Sequence, residues 1–140
     1  MLTHSQARSI AEALWGTGGT NSSRTNRAGA FYFSCSGHGG FVIDARALTH
    51  EEYLKFRLHK DPEQAQDYGK AIMHEYRRRS FKVTPTQLAN MQDFEFFVLE
   101  EDCDWCIAPL MAGIRTLDGY MTDEAAQNTF DRWIKKDAAA

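Results

Sequence analysis

The residues best suited to chemistry in this chain fall in two short patches. The first, Ser36-Gly37-His38-Gly39-Gly40, sets a histidine among glycines; the second, Glu100-Glu101-Asp102-Cys103-Asp104-Trp105, strings carboxylates together ahead of a tryptophan. Imidazole changes charge near neutral pH and is the commonest metal ligand, and glycine lets another backbone or a ligand come close. The plain reading of His38 is a hairpin-turn residue that hydrogen-bonds a neighbouring loop; the functional one is a ligand-binding or catalytic group. The carboxylates likewise admit two readings. They decorate the amino terminus of a helix, where negative charge is favoured, or Glu100, Glu101 and Asp102 join His38 in a metal-assisted hydrolase or nuclease.

The cysteines offer a third chemistry. Cys35-x-x-His38 and Cys103-x-x-Cys106 together supply the donors of a tetrahedral Cys₃His zinc site. Against zinc, Cys35 alternates with Phe31 and Phe33, and Cys106 falls in an apolar segment where cysteine behaves as a small hydrophobe. The primary expectation is therefore no cofactor, with zinc as the alternative. Redox chemistry at Cys103-Asp104-Trp105-Cys106 is disfavoured because the acidic neighbours raise a thiol's pKa. The odd number of cysteines also argues for reduced thiols over a disulfide framework. His74-Glu75 is not a zinc-protease motif, since Arg78 stands where the second histidine belongs. The run Arg77-Arg78-Arg79 suits the solvated end of a helix, or contact with phosphate or an acidic partner.

These residues need elements to hold them. Thr3 with Gln6, and Thr49 with Glu52, have capping-box spacing and predict helices over about 4–15 and 50–59. Gly16 to Gly29 is Gly, Thr, Asn, Ser and Arg with Ala28 as its apolar residue, and reads as a long exposed loop. Ala30–Cys35 and Gly40–Asp44 alternate with period two around the Gly-rich turn, predicting a β-hairpin. Ala65, Tyr68, Ile72, Met73 and Tyr76 recur at helical spacing up to the arginine run. Ser80–Val83 reads as a short strand, and Thr84-Pro85 as a helix start. Phe94–Leu99 reads as a mostly buried strand, Trp105–Ile114 as a buried helix, and Thr122–Lys136 as a terminal helix turning Phe130, Trp133 and Ile134 inward.

The sum is an α+β domain: a small antiparallel sheet of three to four strands packed against three longer helices, in a single domain over residues 1–140. A chain of this size buries about two-thirds of its surface on folding and needs no staples. Its 16 basic and 19 acidic residues give a formal net charge of -3, which does not support direct nucleic-acid binding. That mean hides segregation: Asp93, Glu95, Glu100, Glu101, Asp102 and Asp104 cluster in one stretch, and Arg77, Arg78, Arg79 and Lys82 in another. The first sixteen residues lack the pattern of a secretory signal, and the apolar run Trp105–Ile114 is too short to span a bilayer. The expected location is the cytoplasm.

The order Trp15-Gly16, polar loop, strand, Ser34-Cys35-Ser36-Gly37-His38-Gly39-Gly40, strand, and then Glu100-Glu101-Asp102-Cys103-Asp104-Trp105 resembles an uncharacterised domain family of bacterial plasmid and phage proteins. The resemblance spans roughly Trp15 to Trp105 in three patches. It implies a spatial cluster of His38, Glu100, Glu101, Asp102 and Trp105. Its context implies a mobile-element accessory protein that binds a host protein or ribonucleoprotein complex stoichiometrically, as anti-CRISPR inhibitors do. The expected binding residues are His38, Glu100, Glu101, Asp104, Trp105, Arg77, Arg78 and Arg79; in this reading there is no catalytic set.

Overall fold

Threonine side chains start the helices as their spacing predicts. In the computed structural model, which describes residues 1–16, 20–35, 38–65, 94–119 and 121–135, helix α1 (His4–Trp15) opens with the Thr3 hydroxyl accepting the Gln6 N–H while the Gln6 side chain accepts the Thr3 N–H. Thr49 and Glu52 make the same reciprocal box at α2 (His50–Arg57). The described residues also form strands β1 (Asn21–Ser23), β2 (Ala30–Cys35), β3 (His38–Asp44), β4 (Glu63–Gln64) and β5 (Glu95–Glu100), and helices α3 (Ile107–Ala112) and α4 (Asp123–Thr129). A 3₁₀ turn, Asp104–Cys106, leads into α3, and α4 continues as a π-helical segment, Phe130–Lys135.

The fold is α+β, with an all-antiparallel sheet ordered β1-β2-β3-β5-β4. Among the described residues it has five strands where three or four were expected. The extra ones are short edges, which composition hides: β1 lies inside the polar stretch read as loop, and β4 consists of two polar residues. The hairpin β2–β3 is present, with Cys35 opposite His38. The expected helix through Arg77-Arg78-Arg79, the strand Ser80–Val83 and the start at Thr84-Pro85 lie outside the described residues. So does the side chain of Cys35.

The alternation of the central strands divides the core between the two faces of the sheet. On one face α1 packs Ala7, Ile10 and Ala11 against Phe33, Val42, Phe96 and Val98. On the other, Phe41, Ile43, Phe97 and Leu99 meet Phe56 of α2, Ile107 and Ala108 of α3, and Ile114 and Met121. Strand β3 is buried from Gly39 to Asp44, so its side chains serve both cores. Among the described residues no helix is long and apolar enough to cross a membrane.

Two polar anchors fix one end of this sheet, where β2 begins and β3 finishes. Asp44, fully buried, accepts N–H groups from Leu2 and Arg46 and pairs with the Arg46 guanidinium at 2.9 Å. Burial works to raise its pKa, but the Arg46 charge and these hydrogen bonds outweigh burial and hold the carboxyl below its usual value. Arg27 binds Glu52 in a fork, at 2.9 and 3.1 Å, and also donates to the carbonyls of Ala47 and Ala112. That arginine ties the end of the polar stretch to α2 and α3.

Gly39 and Gly40 of the first patch have separate structural causes. A Cβ on Gly40 would lie 1.9 Å from the Leu99 carbonyl oxygen, and its φ is +154°. A Cβ on Gly39 would lie 2.5 Å from the Phe33 carbonyl oxygen. Gly40→Ala should therefore force β3 and β5 apart, at a cost of about 3 kcal/mol. Urea unfolding should show the midpoint fall with an unchanged slope; an unshifted midpoint would refute the close approach. Glu52 supplies a pH test. Its hydrogen bond to Arg27 lowers its pKa from 4.5 to about 2 against the effect of burial. A depressed acid contributes stability that is complete above its unfolded pKa and is lost as pH falls toward the folded one. Melting curves should show the Glu52→Gln protein less stable at neutral pH, with the gap closing between about pH 4.5 and pH 2.

Candidate functional site

The pairing of β3 with β5 carries the second patch to the first. Gly40 lies opposite Glu100, and just past β5 the Glu101 N–H donates to the Gly39 carbonyl at 2.9 Å. The Glu101 carboxylate lies over Gly39, 3.0 Å from where a Cβ would sit. His38 is exposed at the start of β3, and among the described residues its imidazole makes no hydrogen bond or ion pair. The main chains of the two patches are thus neighbours.

The four acids of the turn separate into two kinds. Asp104 is buried, 8% exposed. One of its oxygens accepts the Glu100 N–H and the other takes the Lys60 ammonium at 2.6 Å. Asp104, one of the expected binding residues, closes the turn that follows β5 and holds Lys60, just past the end of α2, against it. Glu100 and Asp102 are exposed and Glu101 half-buried; among the described residues none of their carboxylates is paired.

The cysteines are quiet. Cys106 is fully buried, donates its thiol to the Cys103 carbonyl at 3.4 Å, and is pushed up to about 11 chiefly by burial. Burial, with Asp104 beside it, also raises the Cys103 thiol. Both are protonated at neutral pH, the inert state for nucleophilic or redox work. Zinc binding by this pair would require both protons to leave. Among the described residues no three His, Cys, Asp or Glu side chains are grouped as a metal site.

What the fold does assemble is a groove of about 290 Å³ between the turn after β5 and the final helical segment. Glu101, Asp102 and Trp105 form one wall; Asn128, Thr129, Arg132 and Trp133 form the other. Trp105 is half-buried, its ring packed on the Phe41–Leu99 core. Trp133 was expected to face inward and is 47% exposed. Ile134 takes the core-facing position, and Trp133 beside it lines the groove instead. The π-helical phase after Phe130 was invisible to a reading based on regular α-helical spacing. The sequence signal that remained was the tryptophan itself, next to a core isoleucine in a one-sided helix.

Arg77, Arg78 and Arg79 lie outside the described residues. Comparison with protein-family models, curated proteins and solved structures found no match to this chain.

The division of the acids is testable by paired substitutions. Asp104→Ala leaves the Glu100 N–H and the Lys60 ammonium unpartnered and should cost about 2–3 kcal/mol. Asp102→Ala should stay within about 0.5 kcal/mol. Thermal melts of the two variants side by side check this; equal effects would contradict the assignment.

Proposed function

We propose that this chain is a stoichiometric protein-binding module whose groove between Trp105 and Trp133 captures a basic side chain of its partner. The observation that carries this reading is the exposed Trp133 facing Glu101 and Asp102, unpaired among the described residues, across one groove. Tryptophan is the residue most enriched among binding anchors, its face attracts cations with about 1–2 kcal/mol once water is excluded, and the carboxylates supply the counter-charge. The groove, of about 290 Å³, stands at the lower end of the roughly 300–1,000 Å³ range of small-ligand sites and has room for a long side chain. Arg132 at the opposite wall gives the site a second polarity, so that an acidic neighbour of the captured residue also finds a partner.

In the context implied by the plasmid and phage resemblance, the partner is a host protein or ribonucleoprotein complex, and binding would inhibit a nucleic-acid defence system. A second reading draws on the hydrogen bond from Glu101 to Gly39, which sets that carboxylate beside the His38 turn. It makes the protein a metal-assisted hydrolase or nuclease using His38 with Glu100, Glu101 or Asp102.

Affinity measurements on a partner isolated with the full chain separate the two. The binding module predicts that Trp133→Ala weakens the complex by at least about tenfold with an unchanged melting temperature, while His38→Ala leaves it intact. The enzyme predicts that His38→Ala and Glu101→Ala both abolish activity and that elemental analysis finds a stoichiometric metal. Full affinity in Trp133→Ala would sink the first.

A further inference from the structure

A second concavity, of about 440 Å³, opens between the start of α1 and the segment 22–32. Its residues come from the polar stretch that composition marks as loop, yet three of them are tied down. The Thr25 hydroxyl donates to the Ala30 carbonyl at 2.6 Å, and Asn26 exchanges hydrogen bonds with Gly113 and Arg115 at 2.9 and 3.0 Å. Arg27 is locked to Glu52. A short polar segment fixed this firmly is a preorganised wall.

The groups it leaves unengaged share one chemistry. Among the described residues the Arg24 guanidinium and the Ser22 hydroxyl have no partner, and no carboxylate lines the cleft. Ser22 pairs with Phe33 across β1–β2 and so lies on the face of the sheet that carries Phe31. On that face the His4 ring stands edge-on to Phe31, with centroids 5.8 Å apart at 71°. The cleft thus has a cationic, hydroxyl-bearing end and an aromatic one. In a chain of net charge -3, a concavity without an acidic wall is a local reversal of sign.

We propose that this cleft binds a nucleoside monophosphate, with the phosphate on Arg24 and Ser22 and the base against Phe31 and His4. Guanidinium matches phosphate oxygens in a fork, an aromatic ring supplies a stacking surface for any base, and the volume falls within the range of small-ligand sites. The site is separate from the tryptophan groove and does not depend on it.

Isothermal titration of the full chain with AMP, GMP, CMP and UMP, with the four nucleosides, and with inorganic phosphate tests this. The expected result is one-to-one binding of at least one monophosphate, about tenfold tighter than either its nucleoside or phosphate alone. Arg24→Ala should reduce that monophosphate to the level of its nucleoside, Phe31→Leu should weaken monophosphate and nucleoside together, and Trp133→Ala should change neither. Absence of saturable binding by any of the four, unchanged affinity in Arg24→Ala, or phosphate binding as tightly as the monophosphates would overturn the proposal.

Discussion

The close passage of β3 past β5 at Gly39 and Gly40 is the constraint on which the rest of this structure depends. A backbone carbonyl stands where a side chain on Gly40 would begin, so only glycine lets the two strands pair through to the end of the ladder. Because they do, the chain leaves β5 directly beside the His38 turn, and the hydrogen bond from Glu101 to Gly39 fixes its direction. Asp104 then folds back onto the Glu100 N–H and Lys60. That turn delivers Trp105 to the edge of the core and Glu101 and Asp102 to the surface. The glycines that looked like the signature of a ligand site serve first as the joint that positions the acids.

The opposite end of β3 is held by an equally demanding group. A carboxylate as buried as Asp44 is tolerated only where hydrogen bonds and an opposite charge replace its water, and Leu2 and Arg46 provide both. The amino-terminal segment is thereby fastened to the sheet, and α1 is set against the face carrying Phe33 and Val42. With Arg27 fastening the polar stretch to α2 and α3, the cleft along residues 22–32 acquires a fixed wall. The acidic groove and the basic cleft lie on separate parts of the surface, which is how a nearly neutral chain presents two strongly different charge environments.

Much of this architecture was legible in the residues. Threonine and an acid or amide three positions on marked both capping boxes, because that pair satisfies two orphan N–H groups at once. Period-two alternation marked β2 and β3, and a continuous aromatic and β-branched run marked β5, because a strand buried on both faces presents apolar residues to each. The edge strands were not legible: β1 and β4 gain their hydrogen bonds from neighbours while burying little side-chain area, so their composition stays that of a loop. The terminal helix was recognised from its Thr122 cap, but its π-helical phase turned Trp133 outward.

The sequence by itself determined the local starts and stops, the sheet-forming segments and the presence of two unusual patches, since these follow from side-chain shape and backbone preference over a few residues. Tertiary structure decided which charges are free. Asp102 and Asp104 stand two positions apart in one acidic run, yet one is exposed and the other is buried against Lys60, a residue 44 positions away. Arg24 and Arg27 diverge in the same way, for Glu52 reaches only the second. Composition cannot distinguish such neighbours, because the partner that neutralises a charge is supplied by the fold from a distant part of the chain.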